Sequence, residues 1–197
     1  MSEIWAIILA GGESKRMGSP KMLLPYRGAT IIETVIQNIA SSSVEKTLVV
    51  LGSDGDEILE TISDYPVRHC FNAAYKSGML SSVKCGFAHL PDDYLAALVF
   101  PGDQPMIGPT VTNLIIRTWR ESGRGIVVPT FLGKRGHPLL IDRKYRKEIM
   151  SLDATEGLRG LALKHPGDVR EIETDNPLIL KDIDTAEDYR NEINRTI

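Results

Sequence analysis

Residues Ile4 to Ala10 are apolar without interruption. A strand with one face in water alternates apolar and polar residues, so a run with no polar member must be covered on both faces. The common solution is a parallel sheet sandwiched between helices. The residues after the run narrow the possibilities. Gly11-Gly12-Glu13-Ser14-Lys15-Arg16-Met17-Gly18-Ser19-Pro20-Lys21 places three glycines and three cations in one loop. Glycine lets backbone N–H groups approach an anion, and Lys and Arg supply charge. A buried strand ending in such a loop is suited to gripping a chain of phosphates.

The rest of the chain repeats the alternation of short apolar runs and helical patterns. Thr47 to Leu51, Val67 to Phe71, Leu95 to Phe100 and Ile126 to Pro129 read as further buried, mainly parallel strands. Between the first two strands, Ile31, Ile32, Val35, Ile36 and Ile39 recur at helical spacing. Thr30 with Glu33 forms a capping box there. Asp56 to Ile62, Ser82 to Leu90 and Val111 to Trp119 read as further helices. This pattern predicts a three-layer α/β/α fold around a doubly wound, mostly parallel sheet. After Pro129 the texture changes. Thr130 to Leu140 reads as a hairpin, with a helix-rich stretch behind it. Val169 to Ile172 and Leu178 to Ile183 read as late strands. A last helix is capped by Thr185, with Ala186, Tyr189 and Ile193 inward. Residues 1–197 are expected to form one domain, with a nucleotide-binding half at about 1–129 and an acceptor-side half at about 130–197.

Composition removes several classes of function. The net charge of -3 offers no broad basic surface for nucleic acid. The N-terminal apolar run is too short to span a membrane and lacks a signal-peptide layout. Cys70 and Cys85 make neither a disulfide framework nor a C-x-x-C pair, and both read as small core residues. A reducing cytoplasm is the expected location.

Two widespread phosphate motifs fail at the first loop. A Walker A loop needs G-x-x-x-x-G-K-[ST], but Arg16 or Met17 stands where the second glycine belongs. The dinucleotide fingerprint G-x-G-x-x-G fails because Gly11 and Gly12 are adjacent. The full string L-A-G-G-x-S-x-R-M-G-x-P-K, from Leu9 to Lys21, instead resembles the signature loop of nucleotidyltransferases that activate a small acceptor with a nucleoside triphosphate. The resemblance implies that Leu9, Ala10, Gly11 and Gly12 wrap the nucleotide. Arg16 and Lys21 would hold its phosphates. It also implies the Rossmann-like fold of the nucleotide-diphospho-sugar transferase type.

Other segments extend the likeness. Pro101-Gly102-Asp103-Gln104-Pro105 comes directly after the strand ending at Phe100, so Asp103 projects from the carboxyl edge of the sheet. Mg²⁺ is usually held by one or two carboxylates plus substrate phosphates. Asp103 resembles the G-D-x-P metal site of the family, although a turn residue bonding its own backbone is the plain alternative. Asp182 and Asp184 read as pointing the same way by strand alternation. The resemblance selects Asp184, before Thr185, as the second metal carboxylate. Asp184 could equally cap the last helix. Ser77-Gly78-Met79-Leu80-Ser81-Ser82 resembles the G-M-x-x-S segment of molybdopterin cytidylyltransferases. There Gly78 and Ser82 would hold base and ribose. Arg135-Gly136-His137-Pro138 resembles their R-G-H-P segment, with His137 towards a phosphorylated acceptor or else an unliganded hairpin histidine.

Together these segments resemble the molybdenum cofactor cytidylyltransferase-like family. The resemblance implies transfer of CMP from CTP to molybdopterin, with Mg²⁺, Arg16, Lys21 and Asp103 as the catalytic groups and pyrophosphate as product. A molybdenum hydroxylase apoenzyme is the implied recipient. The Gly11-Gly12 pair departs from that pattern and is commoner in guanylyltransferases, which use GTP. A sugar-phosphate nucleotidyltransferase and a non-catalytic accessory protein are the remaining alternatives.

Overall fold

The computed structural model describes residues 3–194. Its centre is an eight-stranded sheet. Strands β1 (Ile4–Ala10), β4 (Lys46–Leu51), β5 (Arg68–Phe71) and β6 (Ala96–Pro101) run parallel, with β1 between β4 and β6. A two-stranded ribbon, β2 (Pro25–Tyr26) and β3 (Ala29–Thr30), stands apart from the sheet. Beyond β6 lies β9 (Leu139–Asp142), antiparallel to both β6 and β7 (Ile126–Phe131). Strand β10 (Val169–Glu173) closes that edge in parallel with β7.

Alternation along β1 assigns each face its core. Ile4, Ala6, Ile8 and Ala10 pack with α1 (Ile31–Ala40), α2 (Gly55–Thr61) and α4 (Pro109–Ser122). Trp5, Ile7 and Leu9 pack with α3 (Met79–His89), α5 (Arg146–Ser151) and α6 (Gly157–Lys164). The fully apolar run therefore has helices on both sides, as the three-layer expectation requires. Truncating a central residue such as Ile7, which is completely buried, should cost about 2–5 kcal/mol through lost burial and an unfilled cavity. Helix α1 starts at the expected capping box. Thr30 accepts from the Glu33 N–H, and Glu33 accepts from the Thr30 N–H at 2.7 Å. Among the described residues, no helix is long and apolar enough to cross a membrane.

The C-terminal third departs from expectation in detail. The hairpin forms between β7 and β8 (Lys134–Arg135), turning at Leu132-Gly133. The expected strand Leu178 to Ile183 does not form. Pro177–Leu180 is a single 3₁₀ turn, and the chain then runs irregularly to α7 (Ala186–Asn194). Pro177 has no N–H to give a ladder, and Asn176 caps the turn by accepting from the Leu178 N–H. Ile179 and Ile183 still reach the core. Their backbone is anchored singly, His137 N–H to Ile179 C=O and Ile183 N–H to Asp103 C=O. The inner face of α7 also differs. Ala186 and Ile193 are exposed, while Tyr189 packs against the core and Glu192 is buried, accepting from the Tyr26 hydroxyl at 3.1 Å. A hydrogen-bonded carboxylate can take an inward position that an apolar pattern assigns elsewhere. Cys70 is buried, whereas Cys85 is half-buried on α3 and packs against the edge of the core.

Candidate active site

Three parallel strands end side by side, with Ala10 paired to Leu51 and Leu9 to Pro101. The loops that leave them are therefore neighbours at the carboxyl edge, where open α/β sheets bind ligands. The loops are stitched together: Gly102 N–H donates to Leu9 C=O at 3.0 Å. The approach of the first two loops depends on glycine. A Cβ on Gly52 would stand 2.6 Å from Gly11 Cα and closer still to the Gly11 carbonyl oxygen. Gly52 belongs to no recognisable motif, so nothing local in the sequence marks it. Only its contact with Gly11 reveals its importance.

Above these loops is a cavity of about 350 Å³ lined by Leu9, Gly11, Gly12, Arg16, Lys21, Gly78, Ser82, Asp103, His137 and Asp184. Every residue expected to hold nucleotide, metal or acceptor lines it except Ala10, whose side chain is buried in the core between sheet and helices. Ala10 can therefore contribute only its backbone.

The centre of the cavity is a charge cluster. Lys21 Nζ donates to Asp103 Oδ2 at 2.5 Å and to Asp184 Oδ1 at 2.9 Å. Arg16 donates to the other oxygen of Asp184 at 2.9 Å. Burial works against the charge on Lys21, but the two carboxylates overcome it and raise its pKa. Burial raises the pKa of Asp103, with Lys21 opposing. Asp184 shows the opposite balance: burial would raise it, but Lys21 and Arg16 hold it below the usual carboxylate range. Asp184 does not cap the last helix. Thr185 does so, its Oγ1 accepting from the Asp188 N–H at 3.1 Å while Asp188 accepts from the Thr185 N–H at 2.9 Å. The cap thus leaves the Asp184 carboxylate for the cavity. Asp182 also lines the cavity, but the Gln104 side chain donates to its carboxylate.

Gly78 opens α3 at φ +98°, a left-handed conformation that glycine adopts without steric cost. Ser82, one turn along, is held by Asn72, whose Nδ2 donates to Ser82 Oγ at 3.0 Å and Ser81 Oγ at 2.8 Å. Asn72 is a second residue of the site that no sequence motif contains. His137 is half-buried, and burial lowers its pKa against the pull of Asp182 and Asp103. Its Nδ1 is buried and has no hydrogen-bond partner among the described residues. His137 also lines a second, more apolar cavity of about 790 Å³. Leu9, Met79, Pro101, Arg135, Leu158 and Arg159 line it as well. The two cavities share a wall.

The family described as the MobA-like NTP transferase domain matches residues 6–169. The chain belongs to that family. It is accordingly a nucleotidyltransferase. It is 30% identical to the molybdenum cofactor cytidylyltransferase of Escherichia coli K12, over 96% of this chain and 95% of that protein. It is also 30% identical to the nicotine blue oxidoreductase of Paenarthrobacter nicotinovorans, over 93% of each. Relatives at one level of identity thus carry different activities, so the likeness marks the family and leaves the substrate to the site. The solved structure of Rv0371c from Mycobacterium tuberculosis H37Rv has the same fold, with a TM-score of 0.86 at 24% identity over 98% of each chain. In this MobA-like chain the signature loop and the two aspartates form one constellation.

Proposed function

We propose that this MobA-like protein transfers a cytidylyl group from CTP to the terminal phosphate of molybdopterin, releasing pyrophosphate. The observation that carries the reading is the convergence of Asp103 and Asp184 on a single cation, the Lys21 ammonium, beside the glycine loop. Two carboxylates that gather one positive charge at the mouth of a phosphate loop are a donor set suited to Mg²⁺, which takes carboxylate and phosphate oxygens. When bound, the metal supplies positive charge against the phosphates. The chain's own residues do the rest. Backbone N–H groups of the Gly11-Gly12 loop, with Arg16, balance the charge of the triphosphate. Lys21, once exchanged from the carboxylates, reaches the same oxygens. His137, on the wall shared by the two cavities, is placed to hydrogen-bond the acceptor phosphate through its imidazole. A phosphate nucleophile is already anionic near neutral pH, so bond formation at the α-phosphorus requires no general base. Catalysis reduces to positioning and charge stabilisation.

CTP is favoured over GTP by Gly78-Met79 with Ser82, by the Arg135-Gly136-His137-Pro138 segment, and by the full-length likeness to a cytidylyltransferase. The Gly11-Gly12 pair favours GTP. A reducing cytoplasm and delivery of the product to a molybdenum hydroxylase belong to the same reading.

A thermal-shift panel of CTP, GTP, ATP and UTP, each with Mg²⁺, tests the nucleotide, because a ligand of the native state raises the melting temperature. CTP is expected to give the largest shift, and a shift with GTP alone overturns the cytidine assignment. Pyrophosphate release with molybdopterin then tests the reaction. A non-catalytic carrier releases none, and a sugar-phosphate enzyme releases it only with a sugar phosphate.

A further inference from the structure

Further along α3 from the cavity, towards the C-terminal end of the helix, Cys70 of the edge strand β5 meets Cys85 and His89. The two sulfurs are 3.6 Å apart, and Cys85 Sγ is 3.9 Å from His89 Nδ1. One donor atom from each of the three residues lies within 4.8 Å of the others. None of the three lines the nucleotide cavity or its apolar neighbour. We propose that Cys70, Cys85 and His89 form a binding site for one soft divalent cation of the zinc class, with the fourth position open to water.

The distances suit that cation. Zinc bonds thiolate sulfur at about 2.3 Å and imidazole nitrogen at about 2.0–2.1 Å. A tetrahedral site therefore sets its sulfurs about 3.8 Å apart and sulfur from nitrogen about 3.6 Å. The sulfur–sulfur and Cys85–His89 separations lie within a few tenths of an ångström of these edges, and the Cys70–His89 pair lies within 4.8 Å. Spacing on α3 supplies half the set, since residues four apart share a helix face. Register supplies the rest. Cys70 pairs with Val50 of β4 and turns its side chain to the core face on which α3 packs. Softness agrees too, because thiolate and imidazole select zinc-class ions over Mg²⁺, which prefers oxygen.

The chemistry balances without an oxidant. Two thiols give up two protons and the imidazole gives up none, so one M²⁺ enters as two H⁺ leave. His89 Nδ1 is 2.8 Å from the Cys85 carbonyl oxygen. Ligation through Nδ1 exchanges this hydrogen bond for a metal bond and leaves the ring proton on Nε2. Because His89 is exposed, that exchange disturbs no packing. The site would tie the edge strand to the helix that carries Gly78 and Ser82.

Co²⁺ is the probe. Reduced full-length protein is expected to bind one Co²⁺ per chain with thiolate-to-cobalt charge-transfer absorption and tetrahedral visible bands, both removed by competing Zn²⁺. About two protons should be released per metal. Cys85→Ser should abolish the charge-transfer band. His89→Gln should weaken binding at least ~10-fold. Both variants should keep wild-type nucleotide thermal shifts, which shows that they fold. The site assignment fails if Co²⁺ gives no thiolate absorption. It also fails if the signal survives Cys85→Ser but is lost in Asp103→Asn, or if fully reduced protein takes up no metal and Cys70 and Cys85 instead close a disulfide in air.

Discussion

Lys21 and Asp103, 82 residues apart, meet at 2.5 Å, and the same ammonium reaches Asp184 at 2.9 Å. The lysine side chain is only 10% exposed, so this is an interior contact. Lys21 therefore occupies the position between two carboxylates that a metal ion would share. A partly buried carboxylate pair without a counter-cation is costly, and the lysine offsets that cost. Under the proposed function, binding of metal and triphosphate together would exchange one counter-charge for another, and the freed ammonium would have phosphate oxygens to go to.

A consequence is that metal alone competes with Lys21. Lys21→Met should raise the affinity for Mn²⁺ in the absence of nucleotide by about 10-fold, equivalent to about 1.4 kcal/mol. The same variant should weaken CTP binding. Titration by electron paramagnetic resonance reads the first effect and calorimetry the second. Unchanged Mn²⁺ affinity would show that Lys21 does not guard the pair.

Asp103→Asn keeps the shape of the side chain but removes one of the two charges facing the cation. Pyrophosphate release should fall by about 10²–10³, the usual cost of losing one electrostatic partner in a transition state. Asp182→Asn should cost far less, because its carboxylate is already engaged by Gln104. Equal losses in the two variants would contradict the assignment of Asp184 as the second carboxylate.

Gly52 offers a test of backbone approach. Gly52→Ala drives a methyl group into Gly11, and the two loops must separate. The expected outcome is a loss of about 1–3 kcal/mol in stability by denaturant unfolding, with weaker nucleotide binding. Gly12→Ala is the control for stability alone, since a Cβ there meets nothing within 4 Å.

Acid stability should depend on Asp168, at the base of β10. Burial would raise its pKa, but the Lys144 ammonium at 2.7 Å and the Tyr145 hydroxyl at 2.5 Å hold it down to about 2. A carboxyl depressed in the folded state stabilises above its unfolded pKa of about 3.9, and the benefit is lost as pH falls towards 2. Because the pair is partly solvated, the contribution is discounted to roughly 1 kcal/mol. Asp168→Asn should therefore lower the melting temperature at pH 7 by about 2–4 °C. The gap between variant and wild type should close between pH 4 and pH 2.

The parts legible in the sequence were those encoded by local periodicity and by contiguous motif. The apolar run Ile4 to Ala10 demanded cover on both faces, and the structure supplies it from six helices in two layers. Residues Leu9 to Lys21 announced a phosphate loop because glycine and cation placement is itself a local signal. The alternation of strand and helix up to Ala40 and on to Trp119 carried the doubly wound order. Errors gathered where the backbone is held by single long-range bonds. Leu178 to Ile183 has the apolar content of a strand. Whether it pairs depends on the Gly136-His137 and Asp103 backbones, which lie far away in sequence.

Sequence by itself determined the sandwich, the loop chemistry and a short roster of acidic candidates, because burial and conformational preference act through neighbours in the chain. Tertiary structure alone decided which of them meet. It directed Asp184 to the cation by giving the cap to Thr185, and it occupied Asp182 with Gln104. It pressed Gly52 against Gly11, where a side chain has no room, and it brought Cys70 beside Cys85 and His89. Each of these is a distance between segments that no local pattern records. The crossovers and the register of the sheet set them, which is why Lys21 and Asp103 could be nominated separately but joined only in three dimensions.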